Sequence, residues 1–403
     1  MNGPTPIISN MLADVAPRSP IPRMSLGEAE GYNRSGYHNG NLLRLLIFVI
    51  PLMAALAQDS PLERAVNLAR AKRYEEAREA IAGVTEPANS NQRIAFHRLR
   101  AAVASGLGEA GAAAVEMRAA LALAPQDSGL LMATAAAELQ AERLDDALLH
   151  VRAAASTALS QALTGDIYER RGDYVQAANA YKAAVALAPE SEQYRMALAL
   201  EFVQHQTFEP AILVLHQALP LFPKSAKMRT LLGIALYAMG QADEAQASLV
   251  DAIAVDANLE PAYTYLARIA IEAVGAPQAR TMEVLCRRET PVCHALQLRA
   301  GETAALDKLK KASPDNAIAR CELGRAYEVA ANFAKARTEM EACVALDRSP
   351  ANHYRLGRIY ERLGLTELAH KEMELRNAAV GRLNEEVSRR ENAVQAFRYL
   401  TVK

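Results

Sequence analysis

Apolar residues along most of the chain recur at the spacing of an amphipathic helix, in pairs of short segments separated by a break. In residues 162–190 the first segment carries Gly165 and Tyr168 on one face, and Gly172 interrupts the pattern. The second segment continues the helical spacing at Ala177, Tyr181 and Ala184. Pro189 ends the segment, because proline cannot continue a helix. The pattern predicts a helical hairpin.

The hairpin pattern recurs along the chain at a constant interval. One column of the repeat holds only small residues, namely Gly165, Ala199, Gly233 and Ala267. Another column holds only large residues, namely Tyr181, Leu215 and Leu249. Small side chains let helices approach closely and large ones fill the space between them, so the columns predict hairpins that stack on one another.

These columns resemble the tetratricopeptide repeat, a helix–turn–helix unit of about 34 residues with a small, aromatic, Ala, aromatic, Ala, Pro pattern. A second strong match aligns Gly324 with Gly357 and Met340 with Met373. The resemblance implies an all-α superhelical solenoid of stacked hairpins. It covers nearly all of the chain after residue 58 in about ten repeats, and the repeat at residues 287–316 is degenerate.

The sequence divides into four segments. Residues 1–41 are predicted to be a disordered extension, within which Met24 is an alternative start, and residues 42–57 a signal peptide. Residues 58–377 are predicted to be the repeat array, and residues 378–403 a capping helix and polar tail. Four apolar residues of that helix are expected to face inward: Leu383, Val387, Val394 and Phe397.

The predicted signal peptide sets the expected location. Leu45 to Ala57 is an uninterrupted apolar run, too short to cross a bilayer but of the length found in secretory signals. Ala55 and Ala57 form a small-residue cleavage site before Gln58. The protein is therefore expected to be exported to the periplasm or the extracellular space. The alternative is a buried or interfacial helix, in which case this uncleaved segment is the expected contact with a membrane.

The composition and the absence of known motifs argue against several classes of function. Lys plus Arg total 45 against 46 Asp plus Glu, a net charge of −1, so no basic surface for nucleic acid is predicted. The sequence contains no G-x-S-x-G motif, no phosphate-binding glycine loop and no dinucleotide-binding glycine cluster. We therefore predict no catalytic residue, no cofactor and no metal, and expect that the protein is not an enzyme.

All four cysteines lie within residues 286–343. In an exported protein an even number of clustered cysteines indicates disulfides. Cys286 and Cys293 flank a short loop and are the first predicted pair, which leaves Cys321 with Cys343. The alternatives are other pairings and four buried free thiols.

The resemblance also implies a binding surface. In tetratricopeptide-repeat proteins the first helix of each repeat lines the concave groove. The residues expected there are Asp166, Glu169, Arg170, Met196, Leu200, Val203, Thr230, Ile234, Tyr237, Arg325, Glu328, Arg358 and Arg362. We therefore expect a protein-binding scaffold that holds a peptide or helix in this groove, in envelope assembly or secretion. The alternative is a structural subunit of a larger envelope enzyme or transport complex.

Overall fold

The computed structural model describes residues 60–273, 278–312 and 314–399 of the 403-residue chain. In this part of the chain the regular elements are twenty α-helices, arranged as ten consecutive hairpins. The predicted all-α solenoid of stacked tetratricopeptide-type hairpins is confirmed. The predicted extension at 1–41 and the predicted signal peptide at 42–57 lie outside the described residues.

Residues 60–221 form one compact unit of five hairpins, which we call the first unit. In chain order its helices are α1 (Pro61–Arg70), α2 (Tyr74–Ala82), α3 (Ser90–Gly106), α4 (Ala110–Leu123), α5 (Ser128–Gln140), α6 (Leu144–Ala153), α7 (Ala158–Arg171), α8 (Tyr174–Leu187), α9 (Glu192–Gln204) and α10 (Phe208–Ala218). The odd-numbered helix comes first in each hairpin. The core of this unit is built from alanines and medium-sized apolar residues between consecutive helices.

Residues 222–399 form the second unit, again with five hairpins in the described part of the chain. Its helices are α11 (Ala226–Ala238), α12 (Ala242–Val255), α13 (Glu260–Glu272), α14 (Ala279–Leu285), α15 (Pro291–Arg299), α16 (Ala305–Ala312), α17 (Ala317–Val329), α18 (Phe333–Leu346), α19 (Pro350–Arg362) and α20 (Thr366–Tyr399). The degenerate repeat folds into the two short helices α15 and α16. Among the described helices, none has both the length and the apolar character needed to cross a membrane.

The last helix differs from the prediction. A separate capping helix was expected from residue 378, but α20 runs from Thr366 to Tyr399 without interruption. No proline occurs in this stretch, and Gly381 alone costs a helix only about 1 kcal/mol relative to alanine. The inward orientation predicted for Leu383, Val387, Val394 and Phe397 stays a prediction, because these side chains lie outside the described part.

Capping residues fix where the first helices begin. Thr157, Ser191 and Ser225 precede α7, α9 and α11, and each side chain accepts a hydrogen bond from a backbone N–H of the first turn. These N–H groups have no partner within the helix, so each cap stabilises its helix by about 1 kcal/mol. Successive caps are separated by one repeat length, so the same hairpin boundary returns along the chain.

The small and large columns meet inside the hairpins. A Cβ atom added at Gly165 would lie 2.7 Å from the ring of Tyr181, and one at Gly233 would lie 2.6 Å from Cγ of Leu249. A Cβ atom added at Gly324 would likewise lie 2.6 Å from Cγ of Met340. In each case the large residue follows the glycine by 16 positions. The columns predicted to stack are therefore the contact between the two helices of one hairpin.

We expect Gly233→Val to destabilise the second unit by about 1–3 kcal/mol, the usual cost of overpacking a filled core. The new side chain would meet Leu249 at 2.6 Å and the carbonyl oxygen of Ala245 at 3.2 Å. Gly111→Val is the matched control, because nothing lies within 4 Å of a Cβ atom there. Hydrogen exchange of α11 and α12 measures the change, and equal protection in Gly233→Val and the unmodified protein would contradict it.

Candidate interaction surface on the first helices

Five of the predicted groove residues are core residues instead. Met196, Leu200 and Val203 on α9 have exposed fractions of 5%, 7% and 1%. On α11, Thr230 and Ile234 have exposed fractions of 0% and 4%. The assignment of these five to a partner-binding groove was wrong, because a partner cannot reach side chains that are this deeply buried.

The reason lies in the composition of the two helices. Every residue from 196 to 203 on α9 is buried, and so are residues 230–236 on α11. Apart from Glu201 and Thr230 these stretches hold only apolar residues and glycine, and a helix that is apolar around nearly its whole circumference is buried on all sides. Thr230 fits this environment because its hydroxyl donates to the carbonyl oxygen of Ala226 at 2.9 Å. The middle parts of α9 and α11 therefore expose few side chains to a partner.

The other eight predicted residues are at least partly exposed, and most of them pair with neighbouring side chains. Asp166 accepts a hydrogen bond from the hydroxyl of Tyr181, and Arg170 contacts Glu142. Arg325 donates to Glu322 at 2.8 Å, and Glu328 lies 3.4 Å from Arg355. Arg358 and Arg362 are exposed on α19. Glu169 and Tyr237 join neighbouring first helices.

Polar side chains join several first helices to the next first helix along the chain. The hydroxyl of Ser105 donates to Gln140 at 3.1 Å, from α3 to α5. Glu169 on α7 lies 3.0 Å from Nε2 of His205, directly after α9. In the second unit the Tyr237 hydroxyl on α11 donates to Glu272 on α13. The partners are 35 or 36 residues apart, close to one repeat length, and that spacing is the sequence signal that could have identified them.

The Tyr237 hydroxyl is held in its protonated form. Burial raises the pKa of Tyr237, and its hydrogen bond to the carboxylate of Glu272 raises the pKa further. Tyr237 therefore stays a hydrogen-bond donor across the physiological range. It is the aromatic side chain among the eight predicted groove residues that remain at least partly exposed.

A buried ion pair connects the degenerate hairpin to the one that follows. Arg299 on α15 donates to Glu322 on α17 through Nε at 3.0 Å and through Nη2, with side-chain exposures of 8% and 4%. Its other terminal nitrogen donates to the carbonyl oxygen of Ala273, after the end of α13, at 3.2 Å. One guanidinium therefore ties three consecutive hairpins together. Neither Arg299 nor Glu322 was among the predicted site residues.

The charge of Glu322 is compensated within this cluster. Burial alone would raise the pKa of Glu322, but hydrogen bonds and positive charge from Arg299 and Arg325 lower it below its ordinary value. Burial lowers the pKa of Arg355, which nevertheless remains a cation beside Glu328. The charged side chains of Glu322, Arg325 and Glu328 on α17 are therefore paired with neighbouring charges of opposite sign.

The cysteines lie as predicted. Cys286 and Cys293 join the end of α14 to α15, with an S–S distance of 2.20 Å. Cys321 on α17 and Cys343 on α18 join the two helices of one hairpin, with an S–S distance of 2.07 Å. No cysteine is left over. Two such pairs are consistent with an oxidising compartment.

Comparisons with known proteins concern the fold. No family model and no curated protein sequence matches the chain. Among solved structures, the C-terminal part of a TPR repeat-containing protein from Cytophaga hutchinsonii is 17% identical over 62% of this chain and 94% of its own, with a TM-score of 0.45. A tetratricopeptide repeat protein from Parabacteroides merdae is 16% identical over 69% and 98%, with a TM-score of 0.39. YrrB, described as a TPR protein with an unusual peptide-binding site, is 15% identical over 47% and 96%, with a TM-score of 0.36.

At these identities the likenesses concern the fold alone. The regular register of its repeats, its paired small and large columns and its consecutive hairpins all agree with one repeat type. On these grounds the described part of the chain has the fold of stacked tetratricopeptide-type hairpins.

Proposed function

We propose that the protein is a non-enzymatic scaffold that binds a protein partner along the first helices of its second unit. The observation that supports this most directly is the series of polar side chains that join one first helix to the next and stay partly exposed there. Tyr237 and Glu328 belong to this series, and Arg325 lies on the same first helix as Glu328. A surface that extends over several hairpins suits an extended peptide or a helix, because each hairpin contributes a few contacts.

The accessible end of this surface is on α19. Arg358 and Arg362 are exposed there, one helical turn apart. Arginine is enriched where binding energy concentrates in protein interfaces. These two side chains are therefore the first candidates for contact with a partner, together with Arg325 and Glu328 on the neighbouring first helix.

Site-specific photocrosslinking tests the proposed surface. A photoreactive residue in place of Arg325 should crosslink one defined protein in native cells, because this position lies on the first-helix surface. The matched control replaces Leu346, which has an exposed fraction of 48% and lies on the second helix of the same hairpin. Crosslinking of the same protein from both positions, or from neither, would contradict the proposed surface.

The affinity of the identified partner provides the quantitative test. We expect Arg358→Ala/Arg362→Ala to weaken binding at least tenfold, a loss of about 1.4 kcal/mol. Arg287→Ala is the control, since Arg287 is exposed at the end of α14 and pairs with Glu283. Isothermal titration calorimetry with the purified partner measures both variants, and equal affinities would contradict the assignment of the two arginines.

The proposed site of action is outside the cytoplasm, in the periplasm or the extracellular space, in envelope assembly or secretion. The two cysteine pairs support an oxidising compartment. N-terminal sequencing of the protein from cells should begin at Gln58, and alkylation without reduction should leave all four cysteines unmodified. A reduced protein that retains the segment before Gln58 would contradict export.

A structural subunit of a larger envelope complex is the second candidate. It is favoured by apolar side chains left at the surface of the last hairpin, where Leu368 and Leu375 on α20 each have an exposed fraction of 42%. Such a subunit would aggregate when it is produced without its partners, whereas a scaffold that binds reversibly would elute as a defined species. Size-exclusion chromatography of residues 58–403 distinguishes the two.

A further inference from the structure

Two carboxylates and an imidazole converge between α7 and α9 in the first unit. Nε2 of His205 lies 3.0 Å from Oε2 of Glu169 and 3.5 Å from Oε1 of Glu201. One oxygen of each carboxylate and one ring nitrogen all lie within 4.8 Å of one another. The side chains of Glu201 and His205 have exposed fractions of 0% and 13%, and that of Glu169 has 23%. The cluster is therefore largely shielded from water.

Glu201 occupies a column of the repeat that is otherwise apolar. The residues one repeat before and one repeat after it are Ile167 and Ala235, and both are fully buried. Placing a carboxylate in such a position is strongly unfavourable unless a positive charge compensates it. A second carboxylate, that of Glu169, lies in the same cluster and increases the negative charge there. Glu201 therefore needs a compensating positive charge at this position, and a bound metal ion can supply it.

The way the carboxylates approach His205 distinguishes this cluster from the other histidine contacts. In the first unit, the two carboxylates near His97 face different ring nitrogens: Glu116 lies 2.7 Å from Nδ1 and Glu86 lies 3.5 Å from Nε2. At His205 both carboxylates face the same nitrogen, Nε2. A ring nitrogen carries at most one proton. Without that proton, Nε2 and the two carboxylate oxygens are three electron-pair donors that point at one another.

The distances fit a metal ion. Zinc binds histidine nitrogen and carboxylate oxygen at about 2.0–2.2 Å, so two of its ligand atoms in a tetrahedral or octahedral arrangement lie about 3.0–3.5 Å apart. The two separations from Nε2, 3.0 and 3.5 Å, span this range. The ring of Tyr174 stacks on His205 with centroids 3.7 Å apart, and this contact holds the imidazole in place.

We propose that Glu169, Glu201 and His205 bind a divalent cation of the zinc class. Imidazole together with carboxylates favours zinc over calcium or magnesium, which take oxygen ligands alone. Three ligands from the protein leave a fourth position for water or for a group of a partner. The ion would link the fourth and fifth hairpins of the first unit. The site is not visible in the sequence because Glu169 precedes His205 by 36 residues, about one repeat, and only Glu201 lies within a helical turn of His205.

Binding of Zn²⁺ alone to the purified chain of residues 58–403 tests the proposal. After treatment with a chelator, the protein should bind one Zn²⁺ per chain in equilibrium dialysis, and Co²⁺ in its place should give the visible absorption of a four- or five-coordinate ion. Glu201→Gln and His205→Gln should each weaken Zn²⁺ binding at least 100-fold. His353→Gln is the matched control, because His353 contacts a single glutamate, Glu372, in the second unit.

Measurements on the metal-free proteins distinguish a variant that cannot bind Zn²⁺ from one that is unfolded. Circular dichroism of each variant without metal shows whether it is folded, and Glu169→Gln provides a third variant at the most exposed of the three ligands. Zn²⁺ should raise the thermal midpoint of the unmodified protein and of His353→Gln, and leave those of the three ligand variants unchanged. The proposal is overturned if the unmodified protein binds no Zn²⁺, or if folded ligand variants bind it with the affinity of the control.

Discussion

Arg299→Met is expected to destabilise the second unit by about 3–5 kcal/mol, the usual cost of removing one partner of a buried ion pair. The carboxylate of Glu322 would remain buried with an exposed fraction of 4% and would lose the donors of Arg299. The carbonyl oxygen of Ala273 would lose its donor as well. Hydrogen exchange of α13, α15 and α17 measures the loss locally, which matters because a repeat array need not unfold in one step.

The double variant Arg299→Met/Glu322→Met is the control. It removes both charges, and replacement of a buried ion pair by apolar side chains of similar volume is often neutral. We therefore expect it to recover most of the protection lost in Arg299→Met. A double variant that is as unstable as the single one would show that Arg299 acts through its backbone contacts and not through Glu322.

Acidification should weaken the same pair. The pKa of Glu322 is lower in the folded chain than in the unfolded chain, where it is about 4.5. The ionised carboxylate of Glu322 therefore contributes fully to stability above about pH 4.5. That contribution is lost as the pH falls through the folded pKa. Glu322→Gln should therefore show a shallower loss of protection between about pH 5 and pH 2 than the unmodified protein.

Removal of the pair Cys321–Cys343 by substitution of both residues with alanine is expected to destabilise the second unit by about 3 kcal/mol, because the bond closes a loop and loop closure restricts the unfolded chain. The two cysteines have a sequence separation of 22. Urea unfolding of the oxidised protein and the variant gives the difference from the shift in midpoint.

Two controls accompany this measurement. Cys286→Ala/Cys293→Ala opens a loop with a separation of only 7 and should cost less, about 2 kcal/mol. A reducing agent should shift the midpoint of the unmodified protein and leave a variant that lacks all four cysteines unchanged. Equal midpoints for the oxidised protein and the Cys321–Cys343 variant would contradict a stabilising bond.

Features that return in every repeat could be predicted from the sequence. Gly233 and Leu249 were assigned to a small and a large column, and the structure places them against each other within one hairpin. Repetition makes such positions visible, because the same physical requirement applies at the same place in each hairpin. The cysteine pairing was also predictable, since a short loop leaves the two ends within bonding distance.

The accessible surface could not be predicted in the same way. Helical periodicity shows that Leu200 and Ile234 lie on first helices, but it does not show that these helices are covered on all sides. Contacts such as that between Arg299 and Glu322 bridge two hairpins at a spacing of 23, which matches neither a helical turn nor a repeat. Glu201 is conspicuous only when its apolar neighbours in the column are compared with it.

The bond between Cys321 and Cys343 also limits how far the chain can be stretched. When the protein is pulled from its two ends, the stretch between these cysteines, with a separation of 22, cannot lengthen while the bond is intact. An extended chain spans about 3.5 Å per residue, so the bond prevents roughly 75 Å of chain from extending under the applied force. This length becomes available only when the bond is reduced. The redox state of the surroundings therefore sets the maximum extension of a chain that is held at both ends.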